Sequence, residues 1–214
     1  GSREVVADAF DLWETAERRW TTGAEQNAGG GAGIMIERPD ECCEGVVGGL
    51  PETCAVGCLF MATGDAARER LEALVEETLA EHDLEVLAWR EVPTDAAGAD
   101  LGRTALDAEP DVRQAFVAPA EGADSDEETF DRRLYVARRA LESAAEEFAG
   151  ERFYVCSLDR RRVVYKGLLK ADQIDAYYPD LRDDRLTSGV ALVHARFSTN
   201  TLGAWHLAHP YRNI

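Results

Sequence analysis

The residues best suited to chemistry crowd one stretch late in the 214-residue chain, Val190 to Asn200, reading Val-Ala-Leu-Val-His-Ala-Arg-Phe-Ser-Thr-Asn. An apolar strand over 190–193 would hold Arg196 where the strand stops, with Ser198, Thr199 and Asn200 beside it. A planar guanidinium fixed in that way suits a carboxylate bidentately. The same pattern fits a structural ion pair followed by polar caps, and spacing alone leaves both readings open. Five cysteines, Cys42, Cys43, Cys54, Cys58 and Cys156, are the other reactive groups. Their spacing fits no zinc pattern, because two are adjacent, Cys54 and Cys58 have three residues between them, and no paired Cys or His follows at ligand spacing. His194, His206 and His209 would join them only by coincidence of folding. No metal site is expected, and the thiols read as reduced, small apolar side chains.

Acidic residues outnumber basic ones by 41 to 23, for a net charge of −18, and Lys166 and Lys170 are the only lysines. That field repels phosphates and anionic lipids, so neither nucleic acid nor a membrane is expected as a partner. Two readings of the acidity are open. One is a dedicated acidic binding face. The other is a carboxylate-rich, lysine-poor solvent surface suited to a very salty cytoplasm, which the scatter of acids along the chain favours. A halophilic source is therefore expected. The longest apolar runs, 54–62 and 189–195, are too short to cross a bilayer, and no signal peptide opens the chain. A cytoplasmic protein follows from this reading.

The elements that must position these groups are legible in the hydrophobic pattern. Val5, Val6, Ala9, Phe10, Trp13 and Ala16 recur at helical spacing and predict an opening amphipathic helix. A glycine-dense loop over 21–33 follows, then a short buried strand at 34–36 and a second at 54–62. Leu71, Leu74, Val75 and Leu79 stripe a helix over about 65–82. Residues 84–92 predict a strand with Val86, Ala88 and Arg90 opposite Leu87 and Trp89, and 93–110 reads as irregular. A strand at 112–117 precedes a helix over about 130–148 with Leu134, Ala137, Leu141, Ala145 and Phe148 facing inward. Strands at 153–158 and 163–166 are joined by the turn Asp159-Arg160-Arg161, a short helix covers 171–176, and 190–197 reads as a final buried strand. Grouped strands between long helices, without regular alternation, predict one layered α+β domain over 1–214.

Four segments in order resemble the amidotransferase domain of glutamate synthase. They are Thr21 to Asn27 with Gly31-Ala32-Gly33-Ile34; Leu87-Ala88-Trp89-Arg90-Glu91-Val92-Pro93; Tyr154 to Leu158 with Val164-Tyr165-Lys166-Gly167; and Val193 to Thr201 followed by Trp205. The resemblance implies a four-layer α-β-β-α sandwich of the Ntn-hydrolase type, here incomplete. It also implies a type 2 glutaminase, in which an N-terminal cysteine attacks the amide of glutamine and its own α-amine is the base. The ammonia would pass to a synthase domain that uses FMN and an iron–sulfur cluster to make glutamate. By the same resemblance Arg196 would bind the α-carboxylate of glutamine, with Thr199 and Asn200 near that substrate.

The pattern also departs from the family. The chain opens with Gly1-Ser2, where the family has its cysteine and first strand, and it stops at Ile214, ahead of the His-Asn-Gly segment that supplies the oxyanion hole. Cys54-Ala55-Val56-Gly57 imitates a cysteine-first start, but an internal cysteine has no free α-amine beside it, and it reads as a buried strand residue. Arg18-Arg19-Trp20 stands where the family has His-Arg-Gly, Gly30 where it has Asp, and Cys42-Cys43 where aromatic residues are common. The expectation is a partial domain over 1–214 with no catalytic residue of its own, inert as an isolated chain. A degenerate, non-catalytic paralogue that binds glutamine or serves as an interaction module is the alternative.

Overall fold

The computed structural model describes residues 1–17, 30–39, 49–148, 153–195 and 203–210. The chain forms two compact units built from separated stretches: one from 1–42, 92–109 and 164–214, the other from 43–91 and 110–163. Each unit has its own antiparallel sheet, so the mixed helix-and-sheet class read from the pattern holds.

In the second unit the sheet runs β3-β4-β2-β5, from strands β2 (Ala55–Met61), β3 (Leu84–Glu91), β4 (Asp111–Pro119) and β5 (Tyr154–Asp159). Strand β2 is central and buried at every residue, which is why its sequence is a continuous apolar run without alternation. Helices α2 (Asp65–Ala80) and α4 (Glu127–Phe148) cover one face. Leu71, Val75 and Leu79 from α2 meet Phe130, Leu134, Ala137, Leu141 and Ala145 from α4, over Leu59, Met61, Ala115, Val117 and Val155 of the strands. Those spacings place one stripe per helix against the sheet. Leu74 is only partly buried, and the side chains of Ala16 and Phe148 lie outside the described ones.

Helix α4 begins three residues before its apolar stripe because Asp126 caps it. The Thr129 amide donates to Asp126 Oδ1 at 3.0 Å, and the Asp126 amide donates to Asp124 Oδ1 at 3.1 Å. Hydrogen bonds to its carboxylate, from the Thr129 side chain first and the Thr129 amide next, hold Asp126 below the usual carboxylate range. The turn after β5 is tied to the same helix end. Arg160 Nε donates to Asp131 at 3.1 Å and its Nη2 to Glu127 at 2.8 Å, with its side chain only 12% exposed. Arg161, 64% exposed, reaches the same Glu127 at 3.2 Å. Two carboxylates in a fixed fork outweigh one mobile surface pair. Arg160→Ala is therefore expected to lower the thermal midpoint more than Arg161→Ala; equal midpoints for the two variants would refute it.

Two sequence expectations change here. Val86 and Trp89 both pack on the helix-covered core, although strict alternation separates them. A bulge shifts the β3–β4 register between Val86 and Ala88, so Val86 pairs with Val117 while Trp89 pairs with Ala115. One extra residue inverts the parity of all that follow. Second, the segment expected to be irregular contains a short helix, α3 (Arg103–Asp107), in the first unit. The expected turn joins β5 to β6 (Arg162–Gly167), and the two strands belong to different sheets.

The first unit's sheet has the order β6-β1-β7, with β1 (Ala32–Glu37) central and antiparallel to β7 (Ala191–Ala195). Ala32 faces Ala195, Gly33 faces His194 and Ile34 faces Val193. Helix α1 (Arg3–Glu17) buries Val6, Ala9 and Trp13 and packs against β7. The final strand is shorter and less buried than its apolar sequence suggests, with Val190 58% and Leu192 39% exposed. Among the described strands it pairs with β1 alone, so it ends the row as an edge strand, and its alternating side chains face outward. A 3₁₀ turn at Ala171–Gln173 continues into α5 (Ile174–Tyr177), close to the short helix expected there. Buried Gln173 donates to the Ala99 and Asp100 carbonyls at 3.0 Å each, tying the 95–101 loop to that turn.

Candidate functional site

Arg196, Thr199 and Asn200 lie outside the described residues, as do Thr21 to Asn27, Arg18 to Trp20, and Cys42 and Cys43. What is described is the frame around the first three. Ala195, the last residue of β7, is held by pairing with Ala32 on the central strand. The chain is described again from Gly203, and two residues on it enters a 3₁₀ turn at Trp205–Leu207. Both flanks of the 196–202 stretch are therefore fixed within one unit.

The second flank is seated by an assembly that joins two of the segments singled out in the sequence. Trp205 is 4% exposed and lies against Gly167, where an added Cβ would come within 2.8 Å of ring atom Cε3. Its indole N–H donates to the Ala105 carbonyl on α3 at 3.0 Å. The ring stands 5.3 Å from Tyr177, which meets Tyr178 edge-on at 4.7 Å, and Tyr178 meets Tyr165 at 5.2 Å. The hydroxyls of this cluster are satisfied: Tyr177 donates to Glu109 at 2.8 Å, Tyr165 to Asp180 at 3.0 Å, and Tyr178 to the Lys166 carbonyl at 2.8 Å. Aromatic rings packed edge to face bury area and fix orientation together.

Lys166 on β6 is the least expected member. Its side chain is 2% exposed, yet its ammonium donates to the His206 carbonyl at 3.0 Å and the Ala208 carbonyl at 2.9 Å. Burying a charge is tolerable only with such acceptors. On the neighbouring strand Gly33 lies under the same segment. A Cβ there would meet the His209 carbonyl, the Lys166 Cβ at 2.5 Å and the Tyr165 carbonyl at 2.8 Å. A Cβ on Gly31, at φ +116°, would likewise come within 3.1 Å of Ala208. The rings of His194 and His209 stack at 4.4 Å. Lys166, Gly33 and His194 thus hold segment 203–210 down from one sheet, one residue per strand.

The sequence reading named Gly33, Lys166 and Trp205 in its motifs but assigned roles to none of them. One signal was present: a lysine inside an otherwise apolar strand, Val163-Val164-Tyr165-Lys166-Gly167, in a chain with two lysines. His209 carried no signal, because its contacts depend on a segment folding back over β1.

The described thiols are all enclosed. Cys54 is 0%, Cys58 3% and Cys156 2% exposed. Cys54 directly precedes β2, Cys58 lies within it, and Cys156 is the extra residue where β5 pairing slips between Cys58 and Leu59. Enclosure of this degree shields a thiol from reagents in solution. A thiol reagent is expected to leave these three unmodified in the folded protein and to label them after denaturation. Peptide mapping that finds Cys54 labelled before unfolding would refute this. Among the described residues no group of three His, Cys, Asp or Glu side chains gathers as a metal site.

Comparison with known proteins settles the family. The family model for class-II glutamine amidotransferases matches residues 1–214. The chain belongs to the class-II glutamine amidotransferases. It is 34% identical over 217 residues to the glutamate synthase [NADPH] large chain of Bacillus subtilis, covering 100% of this chain and 14% of that protein. It is 38% identical over 214 residues to ferredoxin-dependent glutamate synthase 2 of Synechocystis, covering 97% of this chain and 13% of that one. With the spinach chloroplastic ferredoxin-dependent enzyme the identity is 32%, over 99% of this chain and 13% of the relative. The amidotransferase chain thus spans about a seventh of the length of these relatives.

No helix among the described residues is long and apolar enough to cross a membrane.

Proposed function

We propose that residues 1–214 act as one amidotransferase domain of a glutamate synthase, binding L-glutamine and serving the release of its amide as ammonia. The observation that carries this reading is the family match over the whole chain, together with its likeness to a minor part of much longer glutamate synthases. Ammonia from such a domain would be consumed by a synthase part outside these 214 residues. FMN and an iron–sulfur cluster belong to that part, and glutamine and the synthase part are the partners this domain requires.

Within the domain, Arg196 receives the α-carboxylate of glutamine, with Thr199 and Asn200 beside the same substrate. The anchored flanks support this assignment, because a guanidinium beginning directly after the paired residue Ala195 starts from a fixed point. Orienting a bidentate donor in advance lowers the entropy lost on binding. A second reading, a non-catalytic glutamine-binding or interaction module, draws support from the enclosure of Cys54, Cys58 and Cys156. The two readings differ in ammonia release, and both the amidotransferase and a glutamine-binding module require that glutamine binds.

Binding is therefore tested first. A ligand that binds only the folded state stabilises it by about 2.7 kcal/mol at a hundredfold excess over its Kd. L-glutamine is expected to raise the thermal midpoint of the chain, and Arg196→Ala to abolish the rise. A charge-assisted carboxylate contact is worth about 1.5–3 kcal/mol, so Arg196→Ala should weaken binding about ten- to a hundredfold. An unchanged midpoint for the unaltered chain at millimolar glutamine would remove the reading.

A further inference from the structure

We propose that the stacked imidazoles of His194 and His209 form a pH-sensitive latch, which seats segment 203–210 on its sheet while both rings are neutral and releases it as the pH falls.

The argument begins with one ring contact between elements that are separate in the chain. His194 lies on β7 opposite Gly33, and its ring stacks on that of His209 with centroids 4.4 Å apart and planes 25° from parallel. A Cβ at Gly33 would meet the His209 carbonyl, so the missing side chain lets His209 settle against the strand that pairs with His194. Within the segment, the amides of Leu207 and Ala208 donate to the Ala204 and Trp205 carbonyls at 3.1 and 3.4 Å, a single loose turn that is weak by itself. The seat therefore depends on side chains, and one of its ties is a pair of titratable rings.

Two neutral imidazoles can stack at this distance, whereas two imidazolium ions repel one another. Histidine makes that change near neutral pH, because its ordinary pKa is about 6.5. The charged groups around the pair add to the bias. Lys166 on β6 is 2% exposed, and its ammonium ends on the carbonyl of Ala208, the residue before His209. His206, on the same segment, gains positive charge over the same pH range. Strand β1 offers no titratable side chain before Glu37, whose carboxylate takes the Gly189 amide, ahead of the other end of β7. Helix α1 packs against β7 with Glu4, Asp8 and Asp11 exposed and Arg3 partly buried. The group that hydrogen bonds fix beside the pair is thus a cation. Protonation is disfavoured in the seated form, which therefore binds fewer protons than the released form. Seating is fully favoured above about pH 6.5 and is lost as the pH falls below that value. Both rings are half-buried, so solvent screens part of the repulsion and release extends over roughly pH 6.5 to 5.

The test follows amide exchange in the unaltered chain from about pH 8 to pH 5, with protection corrected for the intrinsic pH dependence of exchange. Leu207 and Ala208 report the segment, and Ile34 and Ile36 of the central strand report the sheet. The expected result is a fall in protection of about tenfold at Leu207 and Ala208, equivalent to one pKa unit, with Ile34 and Ile36 unchanged. His209→Phe keeps a flat ring that takes no proton, and its protection should stay level across the same range. Constant protection in the unaltered chain overturns the inference, as does a fall shared by Ile34 and Ile36. An equal fall in His209→Phe overturns it too. Should His209→Phe not fold, His194→Phe is judged by the same criterion. If neither folds, ring titration of the unaltered chain by NMR decides. Half-titration of His194 and His209 below about pH 6.5 supports the latch, and half-titration at or above that value overturns it.

Discussion

Trp205→Ala is expected to lower the unfolding free energy by about 3–5 kcal/mol, the usual cost of removing a buried large aromatic. The indole is 4% exposed, bonded to Ala105 at 3.0 Å and packed between Gly167 and Tyr177. The void would adjoin a glycine and a ring that is itself pinned by a hydroxyl bond to Glu109, so collapse to fill it is limited. At about 2–4 °C per kcal/mol for a chain of this size, the thermal midpoint should fall by about 6–20 °C. Trp205→Phe keeps the ring but leaves the Ala105 carbonyl without its indole donor, and should cost less. Chemical denaturation that finds Trp205→Ala within about 1 kcal/mol of the parent chain would show that the 203–210 segment is not seated as described.

Gly33→Ala is the second large effect. One methyl group is added, but its neighbours are two main-chain carbonyls and the Cβ of Lys166. None of these is the far end of a flexible side chain, so relief requires moving the strand or the segment above it. Overpacking of this kind costs about 1–3 kcal/mol, and the rigid neighbours place Gly33→Ala at the top of that range. Gly57→Ala is the natural control. Its Cβ would meet the Leu158 Cδ1 at 3.3 Å, a side-chain tip that can turn aside. Gly33→Ala should therefore destabilise clearly more than Gly57→Ala. Equal stabilities for the two variants would contradict the close approach at Gly33.

How much of this was legible beforehand depended on the range of the interaction. The stripe Leu71, Val75, Leu79 and the stripe Leu134, Leu141, Ala145 announced their helices because helical periodicity is a local property. The central strands β1 and β2 announced themselves as unbroken apolar runs for the same reason. The parity of Trp89 was not legible, because the bulge after Val86 is set by pairing with a strand more than twenty residues away. The exposure of Leu192 was not legible either, since an apolar strand sequence does not reveal whether the strand ends its sheet.

The site divided along the same line. Arg196, Thr199 and Asn200 came from a motif, and motifs are local. The frame that positions their flanks came from contacts such as Lys166 to Ala208 and Trp205 to Ala105, which join residues 42 and 100 positions apart. Lys166 could be suspected from its apolar neighbours, but what it holds could not be read from them. A buried charge advertises that a partner exists without naming it.

The central claim, that this class-II amidotransferase domain holds glutamine by its α-carboxylate through Arg196, has one direct measurement. Calorimetric titration compares L-glutamine with 4-aminobutanamide, a primary amide that lacks the α-carboxylate, in the unaltered chain and in Arg196→Ala. The account predicts saturable binding of L-glutamine to the unaltered chain at millimolar concentration or below, and weak or no binding of the analogue to either protein. Arg196→Ala should bind L-glutamine about as poorly as the analogue. Equal affinity of the unaltered chain and Arg196→Ala for L-glutamine, or no heat from L-glutamine with the unaltered chain, would contradict it.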